Sequence, residues 1–367
     1  MTPRFALALA ALLAAAPAGA ATLADGLFTV SGYGGWALGK TTANDYLHGS
    51  PVARWDNATF ALDLVAQPED RLQVAAQVFF TSRAQAARPE TVELDWAFAT
   101  WRFSDTLALR IGKVRQPFGI YGEIYEVGTL RPFLSLPQGL YGPAGFVGES
   151  YEGFGATGEL PLTGGWSLGY DAYLGEMVTP ESIVAEEVAN PTLLVARPGA
   201  DTVQEPHGDR VGGRLALHTP LEGLSILVTA AAGNDGHRVG GVSLDLATDL
   251  WLLRSEGFYM QDGAALFAWA GYVEGARRFG KVELALRADA SFTHPRGYRG
   301  DSSVMRHRDL AAGASYWLSP QLVLRAAVHA VDGNRFAYPA ERFDAAVLAG
   351  TLQPRTLLVE AGAQFAF

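Results

Sequence analysis

From Leu27 onward the dominant hydrophobic period is two. In Phe28-Val30-Gly32-Gly34-Trp36-Leu38 one parity is apolar or small, while Thr29, Ser31 and Tyr33 occupy the other. The alternation returns in Phe60-Leu62-Leu64, with Asp63 opposite, and in Leu72-Val74-Ala76-Val78-Phe80, with Gln73 and Gln77 opposite. It recurs in Val92-Leu94-Trp96-Phe98, with Glu93 and Asp95 opposite, and in Leu107-Leu109-Ile111, with Arg110 opposite. Further segments of this kind lie at 166–174, 211–217, 224–230, 242–246, 282–288, 310–316, 322–328 and 357–367, with weaker ones at 154–160, 251–259 and 267–273. Successive side chains of a strand point to opposite faces, so each segment carries one apolar and one polar face. About sixteen segments of roughly ten residues are what tilted strands need to cross a bilayer. The expected fold is all-β, a transmembrane antiparallel β-barrel of about sixteen strands.

The connections support closure. Short links at 68–70, 104–105, 161–165, 219–223, 247, 279–280 and 319–320 alternate with long ones at 39–55, 115–149, 177–207, 293–307 and 333–354. Short turns on one side and long loops on the other are the habit of membrane barrels. A soluble sandwich also alternates, but here the polar face carries Asp, Glu and Arg on many strands while Leu, Val and Trp fill the other. In lipid an open sheet edge is forbidden, because its N–H and C=O groups find no partner.

Parity then sorts the ionisable residues. Asp63, Glu93, Asp95, Arg110, Asp171, Arg210, Arg214, Asp245, Arg254, Glu256, Glu283, Arg287, Asp289, Arg325 and Glu360 all fall on the polar side. An Arg or Lys facing lipid at mid-depth costs roughly 2–4 kcal/mol, so this sorting is expected if that side lines a lumen. As a set they predict a water-filled interior carrying both signs of charge.

Composition adds compartment. Arg4, the apolar run from Phe5 to Ala16 and Ala18-Gly19-Ala20 read as a cleavable secretory signal over residues 1–20, leaving a barrel over 21–367. The apolar run is too short for a transmembrane helix. Cysteine is absent, so neither disulfides nor a Cys-based metal site hold the fold. The net charge of −10 argues against nucleic acid. No His, Asp or Glu cluster has metal-ligand spacing, and no cofactor is expected. The terminal Phe367, with Phe365 two before it, resembles the signature read by the outer-membrane assembly machinery.

Residues 115–149 form a long link after the fifth strand, and structureless links of this length are usually functional. The segment carries Arg115, Glu123, Glu126, Arg131 and Glu149, with Lys113 just before it, as candidates for a pore constriction. Tyr121, Tyr125 and Phe133 are candidates for fastening it to the wall. Lys113 breaks parity, lying in line with Ile111, which calls for a strand end or a bulge. Arg suits a constriction because its planar fork binds carboxylate and phosphate in pairs of hydrogen bonds.

At Arg110-Ile111-Gly112-Lys113-Val114-Arg115-Gln116-Pro117-Phe118 the chain resembles porins related to the phosphate-selective porin family. The motif covers barely a tenth of the chain. The resemblance implies a sixteen-stranded trimeric barrel whose third external loop folds inward. It also implies an arginine ladder with a lysine cluster, whereas this chain has only 3 Lys and interleaves acids among its Arg.

The leading expectation is an outer-membrane channel passing small hydrophilic solutes, anions among them. A preference for phosphate or carboxylates, and a barrel plugged by its own loops in a structural or adhesive role, are the alternatives. An enzyme is the rival class, but its one local candidate, His48-Gly49-Ser50, sets a base and a nucleophile too close in sequence to pair.

Overall fold

The computed structural model describes residues 20–24, 26–82, 90–124, 127–142, 146, 148–177, 208–264, 266–296, 301–338 and 351–367. The expected signal segment falls outside the described residues, apart from Ala20. Eighteen strands form one sheet among the described residues. Two are short: β1 (Ala21–Leu23), which pairs with β2, and β3 (Gly49–Ser50), inside the first long connection. The other sixteen are β2 (Phe28–Thr41), β4 (Arg54–Glu69), β5 (Leu72–Ser82), β6 (Glu90–Ser104), β7 (Leu107–Arg115), β8 (Ser150–Pro161), β9 (Ser167–Met177), β10 (Gly208–His218), β11 (Leu224–Gly233), β12 (His237–Ala247), β13 (Trp251–Asp262), β14 (Leu266–Phe279), β15 (Val282–Pro295), β16 (Arg306–Ser319), β17 (Leu322–Asp332) and β18 (Arg355–Ala366).

Each long strand pairs antiparallel with its neighbours, and β18 returns to β2, from Leu358 opposite Thr41 to Ala366 opposite Tyr33. The barrel is therefore closed, with no free edge. The C-terminus completes the seam: Phe367 and Gly32 exchange backbone hydrogen bonds of 2.8 and 3.0 Å. Phe365, Phe367 and Phe60 cluster there, with ring centroids 6.4 to 6.5 Å apart. A Cβ on Gly32 would stand 2.7 Å from the Phe367 ring, so glycine is what lets the terminal ring lie against β2.

The outward parity is apolar. Val273, Leu286, Leu310 and Val359 are 52, 68, 65 and 58% exposed. The packed core lies on the opposite parity, inside the cylinder. There Phe118, Tyr121, Leu140 and Tyr141 from the segment after β7 meet Tyr173, Phe258, Tyr272 and Ala268 of the wall. Greasy outside and packed inside is stable only when lipid covers the outside.

One stretch inverts the expected phase. In β6, Val92, Leu94, Trp96 and Phe98 were expected to share one lipid-facing row. The structure has a bulge here: Leu94 stands opposite Val78, but Trp96 stands opposite Gln77, leaving Asp95 as an extra residue. Before the bulge Val92 and Leu94 face outward, 71 and 52% exposed. After it Trp96 and Phe98 face inward, and Ala97, Ala99 and Trp101 continue the outer row. Phe98 lies 5.8 Å beneath the Arg110 guanidinium and packs on the interior cluster. An inserted residue shifts a period of two by one side, which no parity count can foresee.

Val273 lies mid-strand on the outer parity of β14. Val273→Arg should therefore destabilise the barrel by about 2–4 kcal/mol in reversible unfolding from a bilayer. A cost near zero would place this face away from lipid.

Candidate functional site

The inner wall is organised in cross-strand rows. Asp245, Arg254, Glu274 and Arg287 stand directly opposite one another across β12, β13, β14 and β15, alternating acid and base. Arg254 donates to Asp245 at 3.0 Å, and Arg287 lies 3.9 Å from Glu274. A second row runs Ser243, Glu256, Tyr272, Asp289 and Asp309. Opposite charges in directly facing positions stabilise a sheet, and these rows follow from strand register alone.

The segment after β7 uses this wall as its hydrogen-bonding partner. The wall's cations donate to the segment's carbonyls: Arg214 to Gly119 at 3.1 Å, Arg254 to Leu130 at 3.0 Å, Arg287 to Ser135 at 2.8 Å and Arg325 to Gly128 at 2.7 Å. The wall's acids accept from the other direction. Glu256 takes the Ile120 N–H at 3.1 Å and the Tyr141 hydroxyl at 2.6 Å, and Asp289 takes the Gly139 N–H at 3.0 Å. The Tyr121 hydroxyl donates to Glu274, and the Arg254 guanidinium sits 4.8 Å over the Tyr121 ring. Phe133 lies 4.5 Å beneath Arg287, and Phe118 stacks on Phe258 at 4.4 Å. A loop buried among side chains must pair its backbone polar groups, and charged partners do so most strongly.

The expected wall charges are not uniformly solvated. Arg210, Arg254, Glu256, Arg287, Asp289, Arg325 and Glu360 are all buried, as is Glu274. The first and last long links add to this cover. Tyr46 donates to Asp309 at 3.0 Å, His48 meets Glu360 at 2.8 Å, and a bridge joins Asp45 to Tyr338. Glu360 also faces His329 at 3.3 Å, whose other nitrogen meets Asp309 at 2.7 Å. Arg210 reaches Asp235 with contacts of 2.8 and 2.7 Å, bracing the turn between β11 and β12.

The remaining candidates gather in two clusters. In one, Asp63 accepts from Gln77 at 2.5 Å, and Arg115 donates to Gln77 at 3.2 Å and to Asp95 at 2.6 Å. Glu93 stands opposite the inward Phe79 and is exposed. In the other, Glu123 bridges Arg110 at 3.5 Å and Arg214 at 2.5 Å, and Arg214 also holds Asp171 at 2.9 Å. A cavity of about 340 Å³ opens beside this second cluster, lined by Arg110, Glu123, Asp171, Arg214, His218 and Asp245 among others.

Arg131 donates to Leu134 within its own segment at 2.8 Å, and the Glu149 carbonyl accepts the Gln116 N–H at 3.1 Å where the segment rejoins β8. Glu126 and Tyr125 lie outside the described residues. Lys113 departs from expectation. It stands opposite Ala97 and Glu152 on the outer parity, and its ammonium donates to the Leu94 carbonyl at 3.0 Å. The strand keeps its phase through Gly112, so Lys113 points away from the segment it was grouped with. Glu274, Asp309 and His329 were missed. Glu274 was legible, since it follows the outward Val273 by one; Tyr46 and His48 sit in a link with no period to read.

No protein-family model matches the chain, and no curated protein matches it in sequence. Solved structures match along nearly its whole length. OmpF of Salmonella typhi, in complex with daunomycin, superposes with a TM-score of 0.59 at 12% identity, covering 95% of this chain and 100% of that one. The chain has the fold of a sixteen-stranded outer-membrane porin. The outer membrane channel DcaP of Acinetobacter baumannii gives 0.55 at 10% identity over 96 and 99% of the two chains. An anion-selective porin from Comamonas acidovorans gives 0.53 at 12% identity over 93 and 99%. At such identities the likeness concerns architecture alone.

Glu123 offers a pH test. Burial alone would raise its pKa, but Arg214 and then Arg110 outweigh that and hold the carboxyl below its ordinary range. A depressed folded pKa contributes stability above the unfolded value, near pH 4.5, and that contribution fades as pH falls through the folded value. Glu123→Gln should lower stability at pH 7, with the difference from wild type shrinking below about pH 4 in denaturant unfolding. A difference that grows on acidification would contradict the assignment.

Proposed function

We propose that this chain is an outer-membrane channel through which small hydrophilic solutes diffuse passively, without catalysis. The observation that carries the reading is the closed sixteen-strand cylinder with an apolar outside and a charged inner wall. An aqueous channel lines its interior with charged and polar side chains of this kind. Residues 1–20 are the export signal removed before insertion, Phe367 is the terminal mark offered to the assembly machinery, and the working unit is a homotrimer.

The segment over residues 115–149 is the constriction in this reading. It is fastened to β10, β13, β14, β15 and β17 by the bonds described above, so the free passage lies beside Arg110, Glu123, Asp171 and Arg214, at the cavity they line. A narrower reading, preference for phosphate or carboxylates, draws on the many lumen Arg. Those Arg already have acids: Arg110 and Arg214 have Glu123, Arg115 has Asp95, and Arg254 has Asp245. A paired guanidinium offers an anion less than a free one, which favours a channel of weak selectivity. The burial of so many wall charges favours one competing reading, a barrel closed by its own links.

Planar-bilayer recording separates these. The diffusion channel predicts ohmic steps in groups of three, with a reversal potential close to zero in a KCl gradient. Removing the acceptor that Ile120, Tyr141, Tyr272 and Ser243 share, by Glu256→Ala, should loosen the constriction and raise the single-channel conductance. Silent insertion of wild type and variant alike would favour the plugged barrel, and a strongly shifted reversal potential would favour the anion-preferring one.

A further inference from the structure

The lipid-facing parity carries one cation held in an unusual setting. Arg277 lies on β14, two residues before the strand ends at Phe279, and its side chain is exposed. Its direct partner across the sheet is Trp251 on β13, itself outward and 49% exposed, and on the β15 side it faces Leu284. The guanidinium carbon sits 4.5 Å from the Trp251 ring and 4.8 Å from the Phe279 ring. These ring contacts are its interactions; among the described residues it has neither an ion-pair nor a hydrogen-bond partner.

Two other outward cations differ. Lys113 donates to a carbonyl, and Arg308 lies 3.8 Å from Asp332. Arg277 alone among these three is clamped on its faces and open at its N–H edges. Aromatic faces satisfy the charge of a guanidinium but not its five in-plane donors. The position is three residues before the two-residue turn at Gly280 and Lys281, the short-turn end of the barrel, where strand ends meet headgroups rather than acyl chains. Lys281 in that turn supplies a second positive charge on the same hairpin.

We propose that Trp251, Arg277 and Phe279 form a headgroup site for an anionic glycerophospholipid, with the lipid phosphodiester accepting from the N–H edge of Arg277. The inference rests on the membrane-barrel reading, not on conduction. The phosphate is the acceptor that a lipid interface supplies at this depth, and a planar fork suits its two free oxygens. A phosphatidylglycerol headgroup suits it better than phosphatidylcholine, whose own ammonium competes for the phosphate. The rings keep the side chain extended along the sheet, so that little freedom is lost on binding.

Native mass spectrometry of the detergent-solubilised protein, titrated separately with phosphatidylglycerol and phosphatidylcholine, tests this. Wild type should retain phosphatidylglycerol more tightly than phosphatidylcholine, and Arg277→Gln should weaken phosphatidylglycerol about fivefold while leaving phosphatidylcholine unchanged. Arg277→Lys, which keeps the charge but not the fork, should fall between them. Heat-modifiable migration on gels confirms that each variant is folded. Equal retention of both lipids by wild type, or a preference that survives in Arg277→Gln, overturns the site. Neither result depends on whether the barrel conducts.

Discussion

Backbone hydrogen bonding in a medium without water is the constraint from which the rest of this molecule follows. Lipid offers no donor or acceptor, so each strand must find two neighbours, and the row of pairs must return to its start. The return is made between β18 and β2, where the C-terminal residue itself bonds to Gly32. Once the ring is closed, parity becomes destiny: one side of every strand is committed to acyl chains and the other to the lumen. The glycines under Phe365 and Phe367 belong to the same requirement, because side chains there would hold the last strand off the first.

Closure creates a second demand inside. Sixteen strands enclose more volume than their own side chains can fill, and the segment after β7 enters as an irregular stretch rich in Gly, Pro and aromatics. Its backbone would be costly to bury alone. The wall answers with alternating Arg and carboxylate side chains set by strand register, the Arg serving carbonyls and the acids serving N–H and phenol groups. The charges therefore do structural work first: they convert an irregular segment into a fixed surface. A cavity of about 340 Å³ opens beside Arg110, Glu123 and Arg214.

Much of this was legible in the residues. The period of two, the strand lengths, the alternation of short and long links and the inward parity of residues such as Arg254 and Arg287 all follow from side-chain geometry, and they need no tertiary information. What parity could not supply was anything that depends on register between strands or on where links lie. The Asp95 bulge turns Trp96 and Phe98 inward because of a mismatch with β5, which a single strand does not reveal. The solvation expected for wall charges failed because the cover comes from distant links, Tyr46 and His48 among them, that carry no periodic signal. Lys113 was grouped with the constriction by proximity in sequence, whereas its phase places it outside.

The central claim is that one face of each strand meets lipid and the other meets the lumen, with the phase reset at Asp95. Because the chain contains no cysteine, single cysteines can report on it one position at a time. The direct measurement is labelling of cysteines placed singly from 92 to 101 with a membrane-impermeant maleimide, on barrels folded into vesicles. The account predicts reaction at 93, 96, 98 and 100 and protection at 92, 94, 97, 99 and 101. Unbroken alternation from 92 to 101, or labelling on both faces alike, would contradict it.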